Sequence, residues 1–225
     1  MKFRYLVLFV CLTGSIYTSR AETLKGTIIK EQFRNKGGKY ISDVYDLFLK
    51  TNKSSYFIKR CSDESNAQRY VSCKVEVEAS ITDGLWDACT DEMVQSRTGQ
   101  YIEIKKLRLI KDPMTYSLLD RANNKYSFSQ EKADYDPMTP EESSSGTYSG
   151  GTKKSCSLTL ESFTSLRDLF YVVTEDKSKH TDQRRMMTYS ITYQTEKERT
   201  SFVVENSPRI SELEEALIAI LWPKE

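Results

Sequence analysis

The chain has 225 residues, 33 Lys and Arg against 32 Asp and Glu, and one histidine. That length allows one large or two small domains. A charge this close to balance excludes the strong basic field of a nucleic-acid binder, and a lone histidine with no Cys-x-x-Cys spacing excludes a typical zinc site.

Residues 1–21 read as a signal peptide. Lys2 and Arg4 precede an apolar run from Tyr5 to Leu12, and Ser19-Arg20-Ala21 puts small residues where a cleavage site needs them. Cutting is expected between Ala21 and Glu22. The apolar run is far shorter than the ~20 residues that span a bilayer, so no transmembrane anchor is expected after cleavage. Removing Lys2, Arg4 and Arg20 leaves 30 basic against 32 acidic residues, a net charge of −2. The expected location is the periplasm, the cell envelope or outside the cell.

Export permits disulfides. Cys61, Cys73, Cys89 and Cys156 remain after cleavage, and four cysteines allow three pairings. Cys61 and Cys73 end and begin neighbouring strand candidates and are the first pair to consider. Cys89 could replace either. The alternative for Cys73 is a small buried apolar residue.

Taken in order, residues 24–29 form a first strand, with a lone Gly26 that suits a sharp corner. Residues 45–49 alternate as a second strand, 51–55 turn the chain, and 55–60 form a third. A polar loop follows over 61–68. From Val71 to Ile81 the alternation is clean: Val71, Cys73, Val75, Val77, Ala79 and Ile81 face one way. A fifth strand carries Ile102 and Ile104, then shifts phase at Lys105-Lys106 before Leu107 and Leu109, as a β-bulge does. Five short strands with one long loop predict an OB-like β-barrel over 22–111.

Residues 112–146 have the Pro, Ser and Gly content of a linker. Asp112-Pro113-Met114-Thr115 recurs as Asp136-Pro137-Met138-Thr139, and we read two turns rather than a repeat. A small α+β domain is expected over 147–225. It begins with a strand at 155–160 and a helix capped by Ser162 with a stripe of Phe163, Leu166, Leu169-Phe170 and Val173. A strand with Met187, Tyr189, Ile191 and Tyr193 then turns at 196–198 into a partner with Phe202 and Val204. Ser207-Pro208 opens a last helix with Ile210, Leu213, Ala216-Leu217 and Ile220-Leu221 inward. The fold class is therefore α+β: a five-stranded OB-like barrel followed by a β-α-β-β-α unit.

Candidate functional residues concentrate between the fourth and fifth strands. Trp86, Tyr101 and Tyr45 could make a stacking platform, with Asp87 and Arg97 supplying polar contacts; Trp86 could equally fold back as a lid. Asp83, Asp87, Asp91 and Glu92 are oxygen-rich but match no calcium loop, so no metal or cofactor is expected. His180 lies among Asp176, Lys177, Lys179 and Asp182 and reads as a solvated loop residue. No phosphate loop, dinucleotide fingerprint, Gly-x-Ser-x-Gly or His-Glu-x-x-His occurs.

Gly84-Leu85-Trp86-Asp87 followed by Gln95-Ser96-Arg97-Thr98-Gly99-Gln100-Tyr101 resembles a pattern in bacterial exported proteins and lipoproteins of unknown function. The resemblance implies a small β domain and export; Cys89 departs from the pattern. Tyr148-Ser149-Gly150-Gly151, with the strand, helix, hairpin and helix that follow, is similar to emfourin-type proteins, small bacterial inhibitors of thermolysin-like metallopeptidases. That similarity implies inhibition by the C-terminal domain and identifies no inhibitory residue.

The leading expectation is an exported, non-catalytic protein that binds a protein or glycan of the envelope or exterior, with no nucleic acid among its partners. Metallopeptidase inhibition is the alternative. A hydrolase using Asp83, Asp87 or His180 is a second.

Overall fold

The computed structural model describes residues 20–34, 38–59, 66–86 and 97–223. Two compact units are present. Of the described residues, one unit comprises those up to Val71 together with those of Val75–Arg108, and the other comprises Ser72–Lys74 and those from Leu109 onward.

In the first unit β1 (Arg20–Arg34), β2 (Tyr40–Lys50), β3 (Ser55–Ile58), β4 (Lys74–Trp86) and β5 (Arg97–Lys111) close into a ring in the order β1-β2-β3-β5-β4. β1 and β2 are antiparallel, as are β2 and β3, whereas β3 runs parallel to β5. From Cys73 to Ala79 the alternation seen in the sequence is the burial pattern, whereas Val71 and Ile81 are half-buried and Ser80 is buried. Ile28, Leu49, Ile58, Val75, Val77 and Ile102 are fully buried inside the ring. Burial changes phase where the sequence does: Ile104 is buried, Lys105 and Lys106 are both exposed, and Leu109 is buried again. Two sequence expectations are corrected. Ser72 adopts a left-handed φ of 71°, so β4 begins at Lys74 rather than Val71. At its other end, Asp83 to Trp86 continue β4 instead of opening a loop.

Gly26 is needed for close approach. A Cβ there would lie 2.6 Å from the Lys50 carbonyl oxygen on β2. Backbone cannot yield as a flexible side chain does, so Gly26→Ala is expected to cost about 1–3 kcal/mol of stability, read from urea unfolding.

The second unit is a seven-stranded sheet with two helices on one face. Its strands are β6 (Thr115–Leu119), β7 (Lys125–Phe128), β8 (Lys132–Asp136), β9 (Lys154–Ser157), β10 (His180–Thr181), β11 (Thr188–Gln194) and β12 (Arg199–Glu205). Their order is β10-β12-β11-β6-β7-β8-β9, and every pairing is antiparallel. The linker reading of 112–146 is therefore corrected, because β6, β7 and β8 form the middle of this sheet. Their alternation is short but clear once seen: Tyr116 and Leu118, Tyr126 and Phe128, Ala133 and Tyr135 are all buried. The longest stretch of this unit without helix or strand is 137–153, and even this segment is tied down. Tyr135 Oη donates to the Gly150 carbonyl at 2.7 Å, and Met138 N donates to Asn124 Oδ1 at 3.1 Å.

α1 (Leu160–Glu175) and α2 (Pro208–Leu221) cover the apolar face of the sheet. The cap of α1 is Thr159, whose Oγ1 accepts from Ser162 N at 3.1 Å, and not Ser162. α1 buries Phe163, Leu166, Phe170 and Val173, with the Phe163 and Phe170 rings against Tyr116 and Phe128. α2 starts as read, with Ser207 before Pro208, and buries Ile210, Leu213, Leu217 and Leu221. His180 is not a loop residue: it pairs with Val204 on β12, and its ring lies 4.7 Å from that of Phe202. Because β11 pairs with β6 and β9 with β8, the stretch from 147 onward shares one sheet with strands that precede it.

Candidate functional site

Two places gather chemically distinctive side chains, one in each unit. On the ring, successive residues of each strand face alternately inward and outward. The registers set Ile29 beside Phe48, Phe48 beside Phe57, and Phe57 beside Tyr101, so one outward row crosses β1, β2, β3 and β5. The Phe48 and Phe57 rings are 4.7 Å apart. Phe48 is buried in the row, whereas Ile29, Phe57 and Tyr101 are partly exposed. Gly99 leaves room for Phe57, whose ring edge lies 3.2 Å from where a Cβ would stand. Polar groups flank the row. Lys59 Nζ lies 6.0 Å from the centre of the Tyr101 ring and donates to Glu103 Oε1 at 2.7 Å.

Among the residues singled out by sequence, Tyr101 belongs to this row. Tyr45 does not: it is buried, with Lys30 Nζ 4.0 Å from its ring centre. Trp86 ends β4 and Arg97 begins β5, but their side chains lie outside the described residues, as do Asp87, Asp91, Glu92, Cys61 and Cys89. Asp83 is exposed on β4. Among the described residues, no group of three or more His, Cys, Asp and Glu side chains is placed to hold a metal ion, and no helix is long and apolar enough to cross a membrane.

The second place was not found by sequence reasoning. Arg167 sits on the packed face of α1, wholly buried, four residues after Phe163 and three before Phe170. Its Nε donates to Asp112 Oδ2 at 2.7 Å and lies 3.1 Å from Tyr116 Oη, which itself donates to Asp112 Oδ2 at 2.8 Å. Asp112 Oδ1 accepts from Met114 N at 2.9 Å. The Arg167 guanidinium also lies 4.7 Å from the Tyr171 ring centre and 3.7 Å from Cys73 Sγ.

This charged core sets the ionisation of its neighbours. Burial opposes the charge on Arg167, but the surrounding Tyr116, Tyr171, Cys73 and Asp112 outweigh it and hold the guanidinium protonated. Burial, reinforced by the Asp112 carboxylate, pushes the Cys73 thiol up to about 12. Burial likewise raises Tyr171 to about 12. Cys73 is thus a wholly buried thiol in contact with Arg167.

Asp112 also lines a cleft of about 510 Å³, whose rim carries Lys111, Glu131, Glu196 and Lys197. With both charge signs on its rim, the cleft selects for neither cations nor anions. The Asp112–Arg167 pair behind it is closed to solvent and organises the core. The helical spacing of position 167 from Phe163 and Phe170 was the one available signal for its burial.

No protein-family model, curated protein or solved structure matches this chain.

Proposed function

We propose that this is an exported, non-catalytic binding protein whose five-stranded ring is an OB-type barrel with its ligand on the outer face. The observation that carries this reading is the row of Ile29, Phe48, Phe57 and Tyr101 across four registered strands. The order β1-β2-β3-β5-β4, with β3 parallel to β5, supports the OB assignment. OB barrels use the face around their second and third strands, together with the loop between the fourth and fifth, to hold oligomeric ligands. In this chain the sequence candidate Trp86 ends β4, and Asp87 follows it in the sequence between β4 and β5. Export rests on the basic and apolar pattern of residues 1–21.

A glycan or extended peptide of the cell envelope suits the row. Phe57 and Tyr101 offer flat apolar surface, and Lys59 and Glu103 offer a donor and an acceptor at its margin. The direct test is calorimetric titration of the mature protein with envelope glycan fragments and envelope-derived peptides. Phe57→Ala and Tyr101→Ala should each weaken binding roughly tenfold, the loss of ~1–3 kcal/mol that one stacking aromatic supplies. Unchanged affinity in both variants would remove the row from the site. Robust turnover in a broad hydrolase screen would overturn the non-catalytic reading.

A further inference from the structure

Met186 and Met187 are the most exposed large apolar side chains among the described residues, at 90% and 57% of their full accessibility. They do not sit on a loose tip. Arg185 and Thr188 close a tight turn around them, with Thr188 N donating to the Arg185 carbonyl at 3.0 Å. Thr188 Oγ1 adds a bond to the same carbonyl and accepts from Arg185 N, both at 2.8 Å. The preceding residue is fastened as well: Arg184 Nη2 donates to the Asp120 carbonyl at 2.7 Å and to Asn123 Oδ1 at 2.6 Å. That 120–124 turn is itself held by Asp120 Oδ1, which accepts from Ala122 N and Asn124 N. Two thioethers are therefore presented to solvent by a braced turn, with the core-facing residues of β11 beginning only after them.

We propose that the Arg185–Thr188 turn is an oxidant-reactive modification site, at which Met186, and then Met187, is converted to the sulfoxide by peroxide or hypohalous acid. With peroxide, a lone pair on Sδ attacks one oxygen, the O–O bond breaks, the S–O bond forms, and the departing hydroxide takes a proton to leave as water. Sulfur loses two electrons and the peroxide gains them. Reactivity follows access to sulfur, and access differs sharply along the chain. Met114 is buried, with its Sδ 3.6 Å from Tyr116 Oη and 3.8 Å from Tyr171 Oη. Met138 is only partly exposed. The same exposure leaves the sulfoxide open to enzymatic reduction, so the modification is reversible.

The test is a timed hydrogen peroxide titration of the full mature chain, read by peptide mass mapping and near-UV circular dichroism. Met186 should gain oxygen at a rate close to that of free methionine, Met187 somewhat more slowly, and Met114 at least tenfold more slowly than Met186. The dichroism should be unchanged after the first two oxygens enter. Methionine sulfoxide reductase should return both residues to the thioether, and Met186→Leu with Met187→Leu should abolish the fast oxygen uptake of the peptide that carries this turn, with an unaltered melting temperature. Equal rates at Met114 and Met186, or loss of the near-UV signal with the first oxygen, would overturn the assignment.

Discussion

Asp112→Ala is expected to lower the unfolding free energy by about 3–5 kcal/mol, the cost of removing one partner from a buried ion pair. The variant leaves the Arg167 guanidinium, with no solvent exposure, facing the space its carboxylate had filled. It also removes the acceptor for Tyr116 Oη and for Met114 N. Asp112→Asn separates these contributions. An amide oxygen can still accept from Met114 N, but the charge is gone, so the cost should stay above half that of the alanine variant. Arg167→Ala should be comparably damaging. The double variant Asp112→Leu with Arg167→Met should recover much of the loss, because apolar residues of similar volume need no charge compensation. Urea unfolding of the four variants measures these differences. An alanine variant within 1 kcal/mol of the parent would show that the pair contributes little.

Alkali should destabilise this protein through Cys73 from about pH 9, with its buried tyrosines joining as pH nears 10. The folded thiol is raised from about 9 to about 12, first by burial and then by the nearby Asp112 carboxylate. A raised folded value means that the unfolded chain releases its proton first. The stabilisation is therefore complete below pH 9 and is lost as pH rises from 9 towards 12. Each pH unit in that window costs about 1.4 kcal/mol for this one proton. Tyr171 and Tyr189, both raised by burial to about 12 from 10, join the slope as pH approaches 10, together with Tyr116, Tyr126 and Tyr135, which burial also raises. Between pH 9 and 10 the slope should be flatter in Cys73→Ala than in the parent, whatever packing energy the substitution removes. Parallel slopes in urea midpoints across that interval would refute the assignment.

The sequence was most informative where one strand face is buried and the other wet. Val75, Val77 and Ala79 alternate with Lys74, Glu76 and Glu78, and that pattern survives intact in β4. The phase change at Lys105-Lys106 was equally readable, because two exposed lysines in succession cannot fit a strict period of two. Both helices announced themselves by their stripes, and α2 by Ser207-Pro208. The middle of the seven-stranded sheet was hidden for a physical reason. β6, β7 and β8 are four or five residues long, too short for periodicity to outweigh the turn-forming residues around them, and their burial comes from distant partners such as β11 and α1. Composition therefore spoke for a linker. Arg167 was hidden differently. Its charge argued for the wet face of α1, and only a partner 55 residues earlier in the chain makes its burial tolerable. The outward row on the ring was half legible: Tyr101 stood out, but its alignment with Phe57, Phe48 and Ile29 depends on strand registers that a single sequence does not reveal.

The strand order of the second unit also constrains how the chain acquires its structure. β6, β7 and β8 are consecutive hairpins, so their pairings close over short loops. β11 must then return to β6, bringing Ser190 against Leu119 across the intervening β9 and α1. Loop closure over that longer separation has a greater entropic cost and is slower. During synthesis the three-stranded meander emerges first, with the edges of β6 and β8 still awaiting β11 and β9. Those two edges are the points at which a nascent chain could pair with the wrong strand, and α2, which packs over β8 and β9 beside α1, is added only after the last strand.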